Sequence, residues 1–506
     1  MKKIMALVLA LILVASLATC GGGATTTGSM DRQRTNVSSG STPSSAEILL
    51  SGDIGGEITI SCYDTMQYKA FLEDAARLFE EKYPGTKVNV ETFSAMPEIK
   101  TSEQGGNKMT MVQMQDDPQG RSDYISKVST ALMSGESADI LAMDVLPIQK
   151  YIESGQLENL TSYMNTDPDF NRNDYPENVL NAIEYKGGTW FLPMDYAFDY
   201  YAYDTTLLPN ASGFGTGSAF TVEQLIGLAE DSFDGSSKLF SLSDYTKRSG
   251  GMWGTLLNEN YTAFVDLENK KANFNDGSFA ALLESVKQYS EQGYIPKGAT
   301  GQADAGAMMQ RAGEEAVDRF FFKPKNAFNL ISLFTRNLGM RMTIMAEGDT
   351  MAIGDDDEIA GIAANADSSV PFTYSQAYGI NSNSANKETA WAFLSFLLSE
   401  EMQLNTNLSV TALPLNNAAR EKKMETTLTS TMGKQGGELN ENHLEAIAKY
   451  NEAAEQLSGL INAYVLEDAT VNDMISSEVQ YFFEGTKTAD EVASVLQSKV
   501  DLYLSE

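Results

Sequence analysis

Histidine is nearly absent: the 506-residue chain has one, His443, alongside two cysteines, Cys20 and Cys62, and 3 tryptophans. Zinc sites and Ser-His-Asp constellations need imidazoles and thiolates in number, so those chemistries are excluded at the outset. Basic residues are scarce as well, with 36 Lys plus Arg against 69 Asp plus Glu and a formal charge of −33. Such a chain repels phosphate backbones and anionic lipid surfaces, which removes nucleic acid as a partner. Long apolar runs are also missing: beyond Ile4–Ala15, no segment approaches the ~20 apolar residues of a spanning helix. No repeat of fixed period recurs.

What is present is a globular inventory, 42% hydrophobic and 9% aromatic, enough for a sizeable core. A single core stops growing near ~250–300 residues, so a chain of this length is expected to form two domains or one bilobal body.

The N-terminus decides the compartment. Lys2 and Lys3 precede the run from Ile4 to Ala15, which is too short for a permanent span and the right length for an export signal. The run ends Leu17-Ala18-Thr19-Cys20-Gly21, which resembles the bacterial lipoprotein signal, with Thr19 departing from the usual small residue before the Cys. That resemblance implies cleavage after residue 19 and acylation of Cys20, and two acyl chains are what stable membrane anchoring takes. Cys62 is then the remaining unmodified thiol, so no intramolecular disulfide is expected. Residues 21 to 52, rich in Gly, Ser and Thr, read as a flexible tether.

Globular sequence begins near Gly56. Glu57–Cys62 reads as a strand, and Phe71, Leu72, Ala75, Leu78, Phe79 and Tyr83 form one face of a helix stopped by Pro84-Gly85. Thr86–Phe93 alternates as a second strand, residues 121 to 134 suit a helix, and Asp139–Met143 reads as a third strand. That alternation implies an α/β fold with a parallel sheet. Residues 94 to 120 are longer than an ordinary βα connection and read as a lid or a surface excursion. Arg319-Phe320-Phe321-Phe322-Lys323 reads as amphipathic packing, Asp355–Glu358 as a solvated turn, and Thr488 with Glu491 as a capping box.

Several segments in order carry a resemblance to the family 1 extracellular solute-binding proteins, the ligand-capturing components of ABC importers, of the carbohydrate, maltose-binding type. They are Ile58–Asp64 with the helix ending Phe79–Gly85, Ala138–Asp144 followed by Gly155–Leu160, Gly187–Asp204, and Tyr378–Ser382 through Lys387–Leu394. Together they span most of residues 56 to 420; Asp204 stands where Asn is commoner in the family. The resemblance implies a two-lobed, periplasmic-binding-protein-like fold of type II with a ligand cleft between lobes that close by hinge motion. Carried over by position, residues 54–197 with 375–414 form one lobe and 198–374 with 415–506 the other, after a signal at 1–19 and a tether at 20–53. It further implies an exported, lipid-anchored receptor that binds without turnover, works with an ABC permease, and needs no cofactor. A monomer is expected.

A sugar site wants flat rings for stacking and carboxylate or amide groups for directed hydrogen bonds. Tyr63 and Asp64 stand at the C-terminal end of the first strand, Gln67 opens the next helix, and Asp144 ends the third strand, where open α/β sheets hold their ligands. Asp195 and Tyr196 occupy the position where the resembling family lines its cleft, and Trp253 resembles the family's stacking aromatic. Tyr374 and Gln376 alternate along the return crossing and present one face to the cleft, with Tyr378 next in the series. Trp391, among Ala390, Phe393 and Leu394, reads as core.

Rival readings remain. An anion wants basic groups, and these candidates are acids; iron capture commonly uses a histidine, and His443 lies far along in a C-terminal helix. A polyamine or other cation suits Asp64, Asp144 and Asp195 beside tyrosine rings. A peptide ligand, or a surface glycoside hydrolase using paired carboxylates, uses the same residue types. Asp167, Asp169, Asn171 and Asn173 imitate a calcium loop, but Arg172 replaces the required Gly and Asn178 the bidentate Glu, so no metal is expected there.

Overall fold

The first strand, β1 (Gly56–Tyr63), is buried on both faces toward its C-terminal end, as a strand covered by helices must be. A computed structural model describes residues 54–63, 68–93, 98–104, 107–113, 118–241, 251–295, 319–338, 354–405, 412–434 and 437–505. The signal, the tether with Cys20, and the candidates Asp64 and Gln67 lie outside the described residues. All described residues belong to one compact unit that begins at Ile48.

Helix α1 (Tyr68–Lys82) buries Phe71, Leu72, Ala75, Ala76 and Phe79 against the sheet. It stops where Gly85 takes φ 101°, a left-handed conformation open to glycine at no steric cost. Strand β2 (Thr86–Phe93) follows within the expected bounds. Next come β3 (Glu98–Gln104) and β4 (Asn107–Gln113), which pair antiparallel as a hairpin flanking Gly105-Gly106. The described residues of the long connection, read from sequence as a lid or a surface excursion, form these two paired strands. Helix α2 (Pro118–Ser134), β5 (Ile140–Ala142) and β6 (Leu192–Pro193) complete this part of the chain.

The second half opens with β7 (Asp199–Asp204), β8 (Ala219–Phe220), α3 (Val222–Ala229), β9 (Lys238–Phe240) and α4 (Gly251–Phe264). Then β10 (Phe320–Asn326), β11 (Asp357–Ala363), β12 (Ala377–Ile380) and α5 (Lys387–Leu397) follow. The chain closes with α6 (Asn417–Lys434), α7 (Glu441–Ser458), α8 (Ala469–Phe483) and α9 (Ala489–Ser505).

These strands make two five-stranded sheets. The first has the order β2-β1-β5-β12-β6 and the second β9-β10-β7-β11-β8. In the first, β1 pairs parallel with β2 and β5, while the returning β12 runs antiparallel to β5 and β6. The parallel expectation thus holds for the first three strands of a mixed sheet. In the second sheet β7 is central, antiparallel to both β10 and β11, with a bulge between Ile359 and Gly361. A Cβ on Gly361 would lie 2.5 Å from the Ser218 carbonyl oxygen, so only glycine fits that close approach.

The Phe-rich segment is β10, with Phe320, Phe321 and Phe322 all buried, in keeping with packing. The acidic run is not a solvated turn at Asp357: this carboxylate is 1% exposed and Lys323 Nζ donates to both its oxygens at 2.8 and 2.6 Å. Burial of a lysine from β10 supplies the partner that sequence proximity hides. Met424, Leu428, Ile447 and Tyr450 of α6 and α7 join the core around the first sheet, and Val471, Ile475, Val492 and Leu496 of α8 and α9 join the core around the second. The Thr488 box closes as expected: the Thr488 amide donates to Glu491 Oε2 at 2.8 Å and the Glu491 amide to Thr488 Oγ1 at 3.2 Å. Trp391 is fully buried and donates its Nε1–H to Asp167 Oδ2 at 2.7 Å, so one member of the calcium-like run ties down a helix.

Candidate functional site

Three stretches of chain pass between the sheets side by side. Ala197 and Thr373 exchange backbone hydrogen bonds of 2.7 and 2.8 Å, and Pro371–Phe372 pairs parallel with Ala463–Tyr464. Asn462 Oδ1 accepts from the Val370 amide at 2.8 Å, tying the third crossing to the second. Backbone pairing of this kind leaves two sheets joined by a narrow waist.

Beside the waist lies a cavity of about 290 Å³, near the lower end of the ~300–1,000 Å³ of small-molecule sites. Its wall draws on both sheets. Asp144 follows the C-terminal end of β5, Phe198 to Tyr201 lead into β7, Asn258 and Glu259 project from α4, and Tyr374 and Tyr464 come from two of the crossings. Glu467 and Asn472 bracket the start of α8. Tyr374 and Tyr464 stack with centroids 5.5 Å apart and share a hydroxyl–hydroxyl bond of 3.0 Å. Phe191 packs on both rings, so these aromatic groups are held rigidly.

Glu259 is the electrostatic centre of the wall. Its Oε1 accepts from the Val222 amide at 2.9 Å and from the Tyr201 hydroxyl at 3.2 Å. Burial pushes its carboxyl up to about 8, against the lowering effect of those two bonds, and the Glu223 carboxylate adds to the rise. Glu259 is therefore mostly protonated at neutral pH. Burial likewise drives the Tyr374 and Tyr201 hydroxyls well above their ordinary value.

Two residues singled out from sequence, Asp144 and Tyr374, come together on this wall. The other described candidates lie elsewhere. Tyr63 is 3% exposed and stacks on Phe93 inside the first core. Asp195 accepts the Ser375 amide at 2.6 Å, and Tyr196 accepts from Arg420 Nη1 at 2.9 Å, so both brace the waist from behind. Gln376 is buried and accepts the Tyr378 hydroxyl at 2.8 Å. Trp253 is 1% exposed, packed edge-on against Phe279 and Phe483 in the second core. Its place at the start of α4 is that of a core anchor. Its helix serves the cavity through Asn258 and Glu259, which sequence reading passed over. A signal existed: Glu259 falls three and seven residues after Leu256 and Met252, an acid set within the buried stripe of an apolar helix.

Comparison with known proteins is consistent with this layout. The family model described as bacterial extracellular solute-binding protein matches residues 107–427. No curated protein sequence matches. Among solved structures, an extracellular solute-binding protein family 1 from Alicyclobacillus acidocaldarius superposes with a TM-score of 0.53 at 16% identity, covering 90% of this chain and 100% of that one. The substrate-binding protein Lmo0181 from Listeria monocytogenes, in complex with cycloalternan, gives 0.50 at 16% identity over 89% and 99%. The cyclic α-maltosyl-1,6-maltose binding protein from Arthrobacter globiformis gives 0.50 at 15% identity over 89% and 99%. At such identities the likeness shows a shared two-lobed fold, and the sequence family carries the assignment. With that family's model matched over more than half of its length, this chain belongs to the bacterial extracellular solute-binding proteins.

Proposed function

We propose that this protein captures a saccharide outside the cell and presents it to an ABC permease. One observation carries the reading: a single cavity takes stacked aromatic rings, carboxyl groups and amides from both sheets. Sugars offer apolar faces and rings of hydroxyls, which such a wall complements. The protein from Listeria is described in complex with cycloalternan and that from Arthrobacter as binding cyclic α-maltosyl-1,6-maltose, which supports the same ligand class.

The lobes, carried over from sequence as 54–197 with 375–414 and 198–374 with 415–506 but with α6 and α7 packed on the core of the first sheet and α8 and α9 on that of the second, close on the ligand about the three crossings. Contacts away from the cavity support a closed arrangement: Arg121 Nη2 donates to both Asp473 oxygens at 2.8 and 3.1 Å, and Lys150 Nζ sits 3.8 Å from the Tyr503 ring centre. Residues 1–19 serve as a lipoprotein signal, acylated Cys20 holds the chain at the outer or periplasmic face of the cell membrane, and residues 20–53 give reach. One chain supplies the whole wall, so the receptor works as a monomer, and it binds without cleaving.

Titration calorimetry of the full-length chain in detergent against a panel of malto-oligosaccharides and cyclic glucans tests this. Saturable binding to one site is expected, weakened about tenfold or more by Asn258→Ala. Silence across every saccharide, or cleavage products after incubation, defeats the proposal.

A further inference from the structure

Glu259 carries a hydrogen-bonding group that the fold itself does not use. Its side chain is 7% exposed and lies on the lining of the cavity. Oε1 takes two donors, the Val222 amide at 2.9 Å and the Tyr201 hydroxyl at 3.2 Å, which marks it as the carbonyl oxygen of the neutral acid. The proton then sits on Oε2. That atom makes no hydrogen bond with any described residue, and it is not one of the fully enclosed polar atoms of the wall. Its O–H is therefore a donor offered to whatever fills the cavity, and a buried donor left without an acceptor is costly.

The surroundings keep the proton in place. Tyr201 and Asp199 approach from β7, Glu223 from α3, and Tyr289 from the helix Ser278–Glu291. Asp144 and Glu467 share the cavity lining, and Asp367 stands in the loop whose Ala366 amide bonds the Glu259 backbone carbonyl. No lysine or arginine is among the described lining residues. Lys323 and Lys325 of β10 pair opposite Ala202 and Tyr200, on the sheet face away from Tyr201. Burial, with the Glu223 carboxylate adding to it, holds the carboxyl neutral up to about pH 8. A saccharide seated against Oε2 also displaces the water that would solvate the ionised form, so occupancy and ionisation oppose one another.

We propose that Glu259 recognises the saccharide as a neutral acid, donating its Oε2 hydrogen to a sugar oxygen, so that capture is lost when this proton leaves. The proposal rests on the cavity being the saccharide site described above.

Full-length protein in detergent is titrated with the panel of malto-oligosaccharides and cyclic glucans from pH 6 to pH 9.5, with melting at each pH reporting that it is folded. Affinity should stay level between pH 6 and pH 7 and weaken about tenfold or more by pH 9.5, where only a few per cent of the free protein keeps the proton. In Glu259→Gln, which has nothing to ionise, the ratio of affinities at the two ends should flatten. Should that variant not fold, calorimetry of the wild type at pH 8.5 in two buffers of different ionisation enthalpy decides, with about half a proton or more taken up per saccharide bound. Saccharide binding that is equally tight at both ends, that weakens equally in Glu259→Gln, or that takes up no proton overturns this inference and leaves the saccharide receptor standing. Silence from the whole panel at every pH overturns both.

Discussion

Replacing Glu259 by glutamine should change how stability depends on pH. Unfolded, this carboxyl titrates near its ordinary 4.5; folded, burial raises it to about 8. Between those values the folded chain holds a proton that the unfolded chain has released, so stability falls as pH rises through the window. Integrating over that window gives on the order of 3 kcal/mol lost by the wild type between pH 5 and pH 8. Glutamine keeps an oxygen to accept from the Val222 amide and the Tyr201 hydroxyl, and it has nothing to ionise. Carboxylates held low by partners, such as Asp204 beside Arg319 and Thr206, lose stability in the opposite direction at acid pH, but they contribute equally to both proteins and cancel in the difference. An unfolding entropy of about 2.1 cal/mol/K per residue over roughly 450 residues makes 3 kcal/mol worth about 3 °C. Melting of the two proteins measured every half unit should therefore show the glutamine variant gaining about 3 °C on the wild type from pH 5 to pH 8. A gap that stays constant across this range refutes the argument that Glu259 is buried without a compensating cation.

Further substitutions separate packing from binding. Trp253→Ala empties a core position and should cost about 3–5 kcal/mol by denaturant titration, with saccharide affinity little changed at temperatures where the protein is folded. Lys323→Met strands the buried Asp357 carboxylate and should cost about 3 kcal/mol or more, much of it recovered in the Lys323→Met, Asp357→Leu double variant, as chemical unfolding can measure. Arg121→Ala removes a partly exposed pair to Asp473 and should weaken ligand binding about two- to fivefold through the closed state, an effect that calorimetry should find diminished at high salt.

Local rules placed much of the fold in reach of sequence reading. Alternation over Thr86–Phe93 and the stop at Pro84-Gly85 set β2 residue by residue, because register and turn chemistry act over a few neighbours. Long-range pairing did not show itself this way. The antiparallel return of β12 to β5 joins residues more than two hundred apart in the chain, and Asp357 is buried because Lys323 meets it across the sheet. The site divides along the same line. Asp144 was legible as the residue beyond a strand's C-terminal end, and Tyr374 as part of an alternating crossing. Asp195 and Gln376 alternate just as plausibly, and which face looks into the cavity is decided by the neighbouring crossing that Ala197 pairs with. Tyr464 meets Tyr374 only once the third crossing is in place, and no local pattern announces it.

The most direct test is a crystal structure of the protein with the saccharide that shifts its melting most. The account predicts a sugar ring in the cavity beside the waist, stacked near Tyr374 and Tyr464 and hydrogen-bonded by Asp144 from one sheet and by Asn258 or Asn472 from the other. A ligand seated elsewhere, with this cavity still holding only solvent, would contradict it.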